Sequence, residues 1–215
     1  MDAIERLERI RFGTHLFRTA LHELWDELPE PITQRGLAVR GFANIVRQHT
    51  TSQLLLIQAE LDVSATALLR PTYESLLRAI WAYKGADEQW IADFLTPTPQ
   101  ATETDAETRM GPDVGRMLSA IAMHHPEHIV QPLRELKDAT WRAMHSYVHG
   151  GIRAVVQSLA PFPHEEAGSL LLNANGMLLM VTNVVRMAHG LQSGRLPGIQ
   201  KQYAECLPPQ MTAKV

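Results

Sequence analysis

Cysteine is almost missing from this chain: Cys206 stands alone among 215 residues. That excludes a disulfide framework and a thiolate zinc site. Aromatic residues supply only 6%. Lysine is scarce too, the 20 basic residues dividing into 16 Arg and 4 Lys; arginine forks suit phosphate oxygens better than lysine does. A net charge of -3 excludes a uniformly basic nucleic-acid coat protein and leaves room for a local basic patch. No long apolar run is present. The most apolar stretch, Leu170 to Val185, is interrupted by Asn173, Asn175, Gly176, Thr182 and Asn183. A membrane span wants about 20 predominantly apolar residues, so a buried helix is expected instead. The first ten residues carry charges where an export signal needs an apolar core, which points to a cytoplasmic protein with no membrane partner.

What is present is helical periodicity. Ile4, Leu7, Ile10, Phe17, Leu21 and Leu24 recur at helical spacing, and this first helix ends before Pro29. Further helices are expected over about 34–60, 64–85, 87–95, 113–123, 127–159 and 165–192. The hydroxyls of Thr50, Thr51 and Ser52 make the middle of the second one polar. Pro71 lies inside the third pattern and disfavours helical geometry at Arg70, so a kink or break is expected there. Gly150-Gly151 loosens the long helix beginning at Glu127. Thr96 to Pro112, rich in Pro, Thr, Asp and Glu, reads as an exposed or mobile loop. The expectation is an all-α, single-domain, up-and-down helical bundle of about five long helices plus short ones, over 1–195, with a C-terminal tail over 196–215.

Two polar stripes interrupt apolar helices. Arg70, Glu74 and Arg78 recur every four residues, with Trp81 a turn further, among Leu68, Leu69, Tyr73, Leu76, Leu77 and Ile80. Residues so spaced share a face. Charges in such company need partners. They form either an internal ion-pair network or the floor of a pocket for an anion. The second stripe is Asp138, Arg142, His145, Ser146, His149 and Arg153, which fall within about 100° of one another on a helical wheel. Histidine exchanges a proton near neutrality, and arginine clamps phosphate oxygens. Gly150 and Gly151 admit a close approach to His149.

The spacing Arg142-x6-His149 resembles the Arg-x(4–6)-His motif of the HEPN superfamily of helical bundles. Many HEPN members are metal-independent ribonucleases of toxin–antitoxin and phage-defence systems. Their Arg and His often come from two protomers across a dimer interface, and the RNA 2′-hydroxyl is the nucleophile. The resemblance implies His149 as general acid/base with His145 beside it, Arg142 as phosphate stabiliser, RNA as substrate, an antitoxin or partner protein, a homodimer, and no cofactor. Arg70, Glu74, Arg78, Ser146, Tyr147 and Arg153 are then candidate binding residues. Ala143 departs from the polar residue that commonly follows the arginine in that motif. Leu69-Arg70-Pro71-x-x-Glu74 together with Tyr147-x-His149-Gly150-Gly151 also resembles an uncharacterised bacterial helical family, one that carries no activity to import.

Metal chemistry finds no support. No Glu is followed three residues later by His, as a ferritin-like di-iron bundle needs. Pro126 breaks the spacing of His124, His125 and His128, which read as solvated loop residues. Neither a Walker-type glycine loop nor a Gly-x-Ser-x-Gly elbow occurs. Met177, Met180 and Met187 read as core. Against the nuclease stand two alternatives: a non-catalytic helical module that binds protein or RNA and uses the two stripes as internal polar contacts, and a pocket for a small anion above Arg70 and Arg78.

Overall fold

The computed structural model describes residues 2–96 and 111–209. Those residues are predominantly helical, and no strand occurs among them. The elements are α1 (Ala3–Asp26), α2 (Gln34–Gln58), α3 (Asp62–Ala67), α4 (Leu69–Tyr83), α5 (Glu88–Leu95), α6 (Val114–His124), α7 (Glu127–Val148), α8 (Ile152–Ser158), α9 (His164–Ala188) and α10 (Leu196–Gln202). Most of the loop expected at Thr96 to Pro112 lies outside the described residues.

Local chemistry sets the helix starts. Four polar N-caps accept a backbone N–H of the first turn: Asp2 from Glu5, Thr33 from Gly36, Asp87 from Trp90 and Asp113 from Arg116. Elsewhere proline does the work, with α7 beginning after Pro126 and α9 after Pro163. The expected break near Pro71 is real and falls at Leu68, which ends α3 and caps α4. Pro71 then occupies the first turn of α4, where a missing N–H has no helical partner to lose. Likewise the long helix expected over 127–159 is two helices, separated at Gly150-Gly151.

At the centre of the bundle lies α9. It packs against α1, α2 and α4, and α2 also packs against α4. Its length and apolarity would suffice to cross a membrane, yet most of it is buried inside the fold. Both apolar sides of α9 are used: Leu171, Met177, Leu178, Val181 and Val185 are all buried. Met180 is buried as well, while Met187 packs against the core from a partly buried position. Most polar groups inside are paired, as burial demands, while His49 Nδ1, Gln53 Oε1, His125 Nε2 and His189 Nε2 have no hydrogen-bond partner among the described residues. Trp25 Nε1 donates to Thr182 Oγ1 at 3.0 Å, and Asn175 Nδ2 donates to Thr14 Oγ1 at 2.8 Å and to the Cys206 carbonyl at 2.9 Å. Arg186 reaches Glu27 at 2.9 Å.

Four of the aromatics form one cluster: Phe42 stacks on Phe94 and Phe94 on Trp90, whose ring meets Trp81 edge-on, and together they fix α5 to α2 and α4. Trp81, aligned with the first polar stripe in sequence, therefore belongs to this cluster.

The stretch expected as a tail is packed as far as the description extends. Leu196, Ile199, Cys206 and Leu207 are buried. Cys206 sits against Gly13 of α1, where an added Cβ would lie 2.3 Å from its Sγ.

Candidate functional site

Helix α7 is peripheral. It contacts α3, α4, α6 and α8 and buries only Val130, Leu133 and Met144. One tether to the core is the Tyr73 hydroxyl of α4, which donates to the Leu133 carbonyl at 2.8 Å. Burial pushes that phenol above its ordinary range, with Asp138 adding to the shift. The remaining faces of α7 are open, and they carry Arg142, His145 and His149, all exposed.

The two imidazoles meet. His145 and His149 lie one turn apart with ring centroids at 4.5 Å. Arg70 of α4 arrives from below, its Nη1 2.6 Å from His145 Nδ1. The guanidinium also rests on the Trp141 ring at 4.5 Å and bonds Glu74 Oε1 through Nε at 2.9 Å. Arginine has donors only, so His145 accepts at Nδ1 and carries its proton on Nε2, the outward nitrogen. Glu74 turns its other oxygen to Arg78 at 3.6 Å. Arg70, Glu74 and Arg78 keep 22%, 23% and 13% of their side-chain exposure. The first stripe is thus a half-buried ion-paired row with one end open to the histidines.

Arg142 stands elsewhere on the stripe. Seven residues of helix separate its Cα from that of His149 by about 10.5 Å along the axis. Helical side chains lean toward the N-terminus, and His149 lies against His145. Among the described residues, the guanidinium that hydrogen-bonds His145 is that of Arg70. Among the described residues Arg142 makes no hydrogen bond or ion pair.

Ser146 and Tyr147 lie in the last turn of α7 and Arg153 in the first turn of α8, on either side of the turn that joins them. His149 ends the helix, Gly150 takes a left-handed φ of +62°, and the Gly151 N–H returns to the Ser146 carbonyl at 2.7 Å. That six-to-one bond closes a Schellman turn. Ser146 Oγ accepts the Arg153 N–H at 3.1 Å, starting α8, and a Cβ on Gly151 would lie 2.6 Å from that oxygen. The Gly-Gly pair is therefore required by the turn itself. Tyr147 is half-buried, and its phenol is pushed up by burial and by Glu166. Trp141, the platform under Arg70, is a member of the site that helical spacing alone does not single out.

The other histidine cluster is split. His124 and His128 are exposed as expected. His125 is half-buried against the Tyr83 ring, with its pKa lowered chiefly by burial and then by Lys84. Among the described residues no group of three or more His, Cys, Asp or Glu is placed to hold a metal.

Fold and site together define an all-α protein that presents an arginine-braced pair of imidazoles on a peripheral helix. A family model described as a family of unknown function (DUF6988) matches residues 43–209, and the chain belongs to that family. The match takes in both polar stripes. No curated protein and no solved structure matches the chain.

Proposed function

We propose that the protein is a HEPN-like, metal-independent endoribonuclease that works as a homodimer, as toxins and phage-defence effectors of that kind do. The observation that carries this reading is the exposed His145–His149 pair with its rings 4.5 Å apart. One imidazole can take a proton while the other gives one. His149 removes the proton of a ribose 2′-hydroxyl, whose oxygen attacks the adjacent phosphorus. The bond from phosphorus to the 5′-oxygen breaks, and Nε2–H of His145 donates its proton to that leaving oxygen. The products are a 2′,3′-cyclic phosphate and a 5′-hydroxyl. Arg142, exposed and without a hydrogen bond or ion pair among the described residues, neutralises the developing phosphorane charge.

The distance between Arg142 and His149 along one helix favours supply of the arginine by a second copy. Beside His149 lies a surface suited to that copy: Val148, Ile152, Val155, Val156 and Leu159 are all exposed, the last at 82%. A contiguous apolar patch of this kind marks an interaction site. The test is incubation of purified protein with total RNA in the presence of a chelator. Wild type should release cyclic-phosphate ends, and His149→Ala and Arg142→Ala should lose on the order of 100-fold or more in rate. Leu159→Glu should yield monomer and lose cleavage as well. Undiminished cleavage by His149→Ala overturns the reading.

A second reading draws on a different observation. Glu74 bridges two arginines, so the first stripe is satisfied without a ligand. A non-catalytic module binding RNA or protein through the exposed face of α7 uses the same residues as structure. RNA retained by the wild type and never cut favours it.

A further inference from the structure

Helices α1 and α2 both pack on α9, and between them lies a cleft of about 720 Å³ floored by Leu178. Among the described residues its lining contains Arg18, Arg47, His15 and His22, and no carboxylate. The contrast with the cleft of about 600 Å³ beneath α3 is plain, since there Arg11 is offset by Glu8, Glu60 and Asp62. Uncompensated cations facing one another in a concave site are unfavourable unless something negative joins them.

Each guanidinium is held in place by neutral groups. Arg18 donates to Thr50 Oγ1 at 3.1 Å, to the Arg47 carbonyl at 3.4 Å and to Thr51 Oγ1. Both threonine hydroxyls in turn donate to the Arg47 carbonyl. This explains the polar middle of α2: Thr50 and Thr51 position an arginine from the neighbouring helix. Arg47 lies over the Trp25 ring at 4.9 Å. Burial, and then Arg47, lower the Arg18 pKa to about 10, so it still carries full charge at neutral pH. His22 already pairs with Asp26 at 3.0 Å, whereas His15 meets the neutral Gln58. Leu21, Leu54 and Leu55 supply apolar wall.

We infer that this cleft is a second binding site, taking the phosphate group of a small phosphorylated ligand between Arg18 and Arg47 with its apolar part against the leucine wall. Paired arginine forks match phosphate geometry, and the volume falls in the range of small-molecule pockets. This site is independent of the α7 histidines and of any reading of them.

Calorimetric titration with inorganic phosphate and with adenosine monophosphate provides the test. Either probe should bind the wild type saturably, and Arg47→Gln should weaken it by roughly tenfold or more. Tighter binding of the nucleotide assigns a nucleotide, and equal binding assigns the phosphate group alone. The unliganded Arg47→Gln protein should melt no lower than wild type, because a repulsion is relieved; that result separates lost binding from lost folding. Arg47→Lys, which keeps the charge without the fork, should fall between the two. His149→Ala should leave binding unchanged. Absence of binding by both probes, or unchanged affinity in Arg47→Gln, overturns the inference. So does loss of binding in His149→Ala, or an RNA oligonucleotide that displaces both probes from this cleft.

Discussion

Arg70 of α4 donates a hydrogen bond to His145 Nδ1 of α7 across 75 residues of sequence, at 2.6 Å. Because a guanidinium cannot accept, the contact dictates which ring nitrogen holds the proton. Long-range nitrogen–proton NMR correlations on the imidazoles should show His145 as the Nε2–H tautomer in the wild type. Replacing Arg70 by methionine should produce a tautomer mixture. A dominant Nδ1–H form in the wild type contradicts the contact. The proposed proton donation by Nε2–H depends on it.

Glu74 is the shared acceptor of Arg70 and Arg78. Glu74→Ala removes the carboxylate that both half-buried guanidiniums share. Breaking a fully buried pair costs 3–5 kcal/mol, and solvent access to these groups reduces that to about 1–2 kcal/mol. For a chain of this size the melting temperature should drop by roughly 3–6 °C. Arg70→Met combined with Glu74→Ala should recover part of the loss, since the guanidinium bonded to Glu74 is removed together with it. Scanning calorimetry of the single and double variants checks this, and strictly additive losses would deny the coupling.

The seam where α1 meets the end of α9 should respond to acid. Glu27 is held below the ordinary carboxylate range by hydrogen bonds from Arg186 and Arg195. A carboxyl with a depressed pKa in the fold binds fewer protons there than in the unfolded chain, so stability falls as pH drops. The sign gives a contribution fully present above the ordinary value of 4.5 and lost as the pH descends through the folded value. Denaturant titrations should therefore show wild type more stable than Glu27→Gln at neutral pH, with the gap closing in acid. A constant gap across that window refutes the assignment.

Much of the architecture is legible along the chain because its determinants are local. Asp87 and Asp113 cap the helices they were expected to start, and Pro126 and Pro163 precede helices that begin immediately after them. The break near Pro71 is readable for the same reason, although it falls at Leu68, where the first turn of α4 tolerates proline. The site is less legible. Spacing puts Arg142 and His149 on one face, and they are, but an arginine two turns away on the same helix is not within reach. The partner that does reach comes from α4, and only tertiary packing brings Arg70 over Trp141 to His145. Arg18 and Arg47 are hidden more completely. Each looks like an ordinary charge on a solvated helix face, and the missing carboxylate between them is a property of two helices together. The one local trace of that arrangement is Thr50-Thr51.

Cys206 lies under α1 with Gly13 directly above its sulfur, and burial raises its thiol pKa. An alkylating reagent can reach it only when the short turn from Ala204 to Cys206 lifts away from the bundle. The chain thus contains a natural clock for breathing of its C-terminal segment: one thiol, one signal, and a labelling rate set by how often that flap opens.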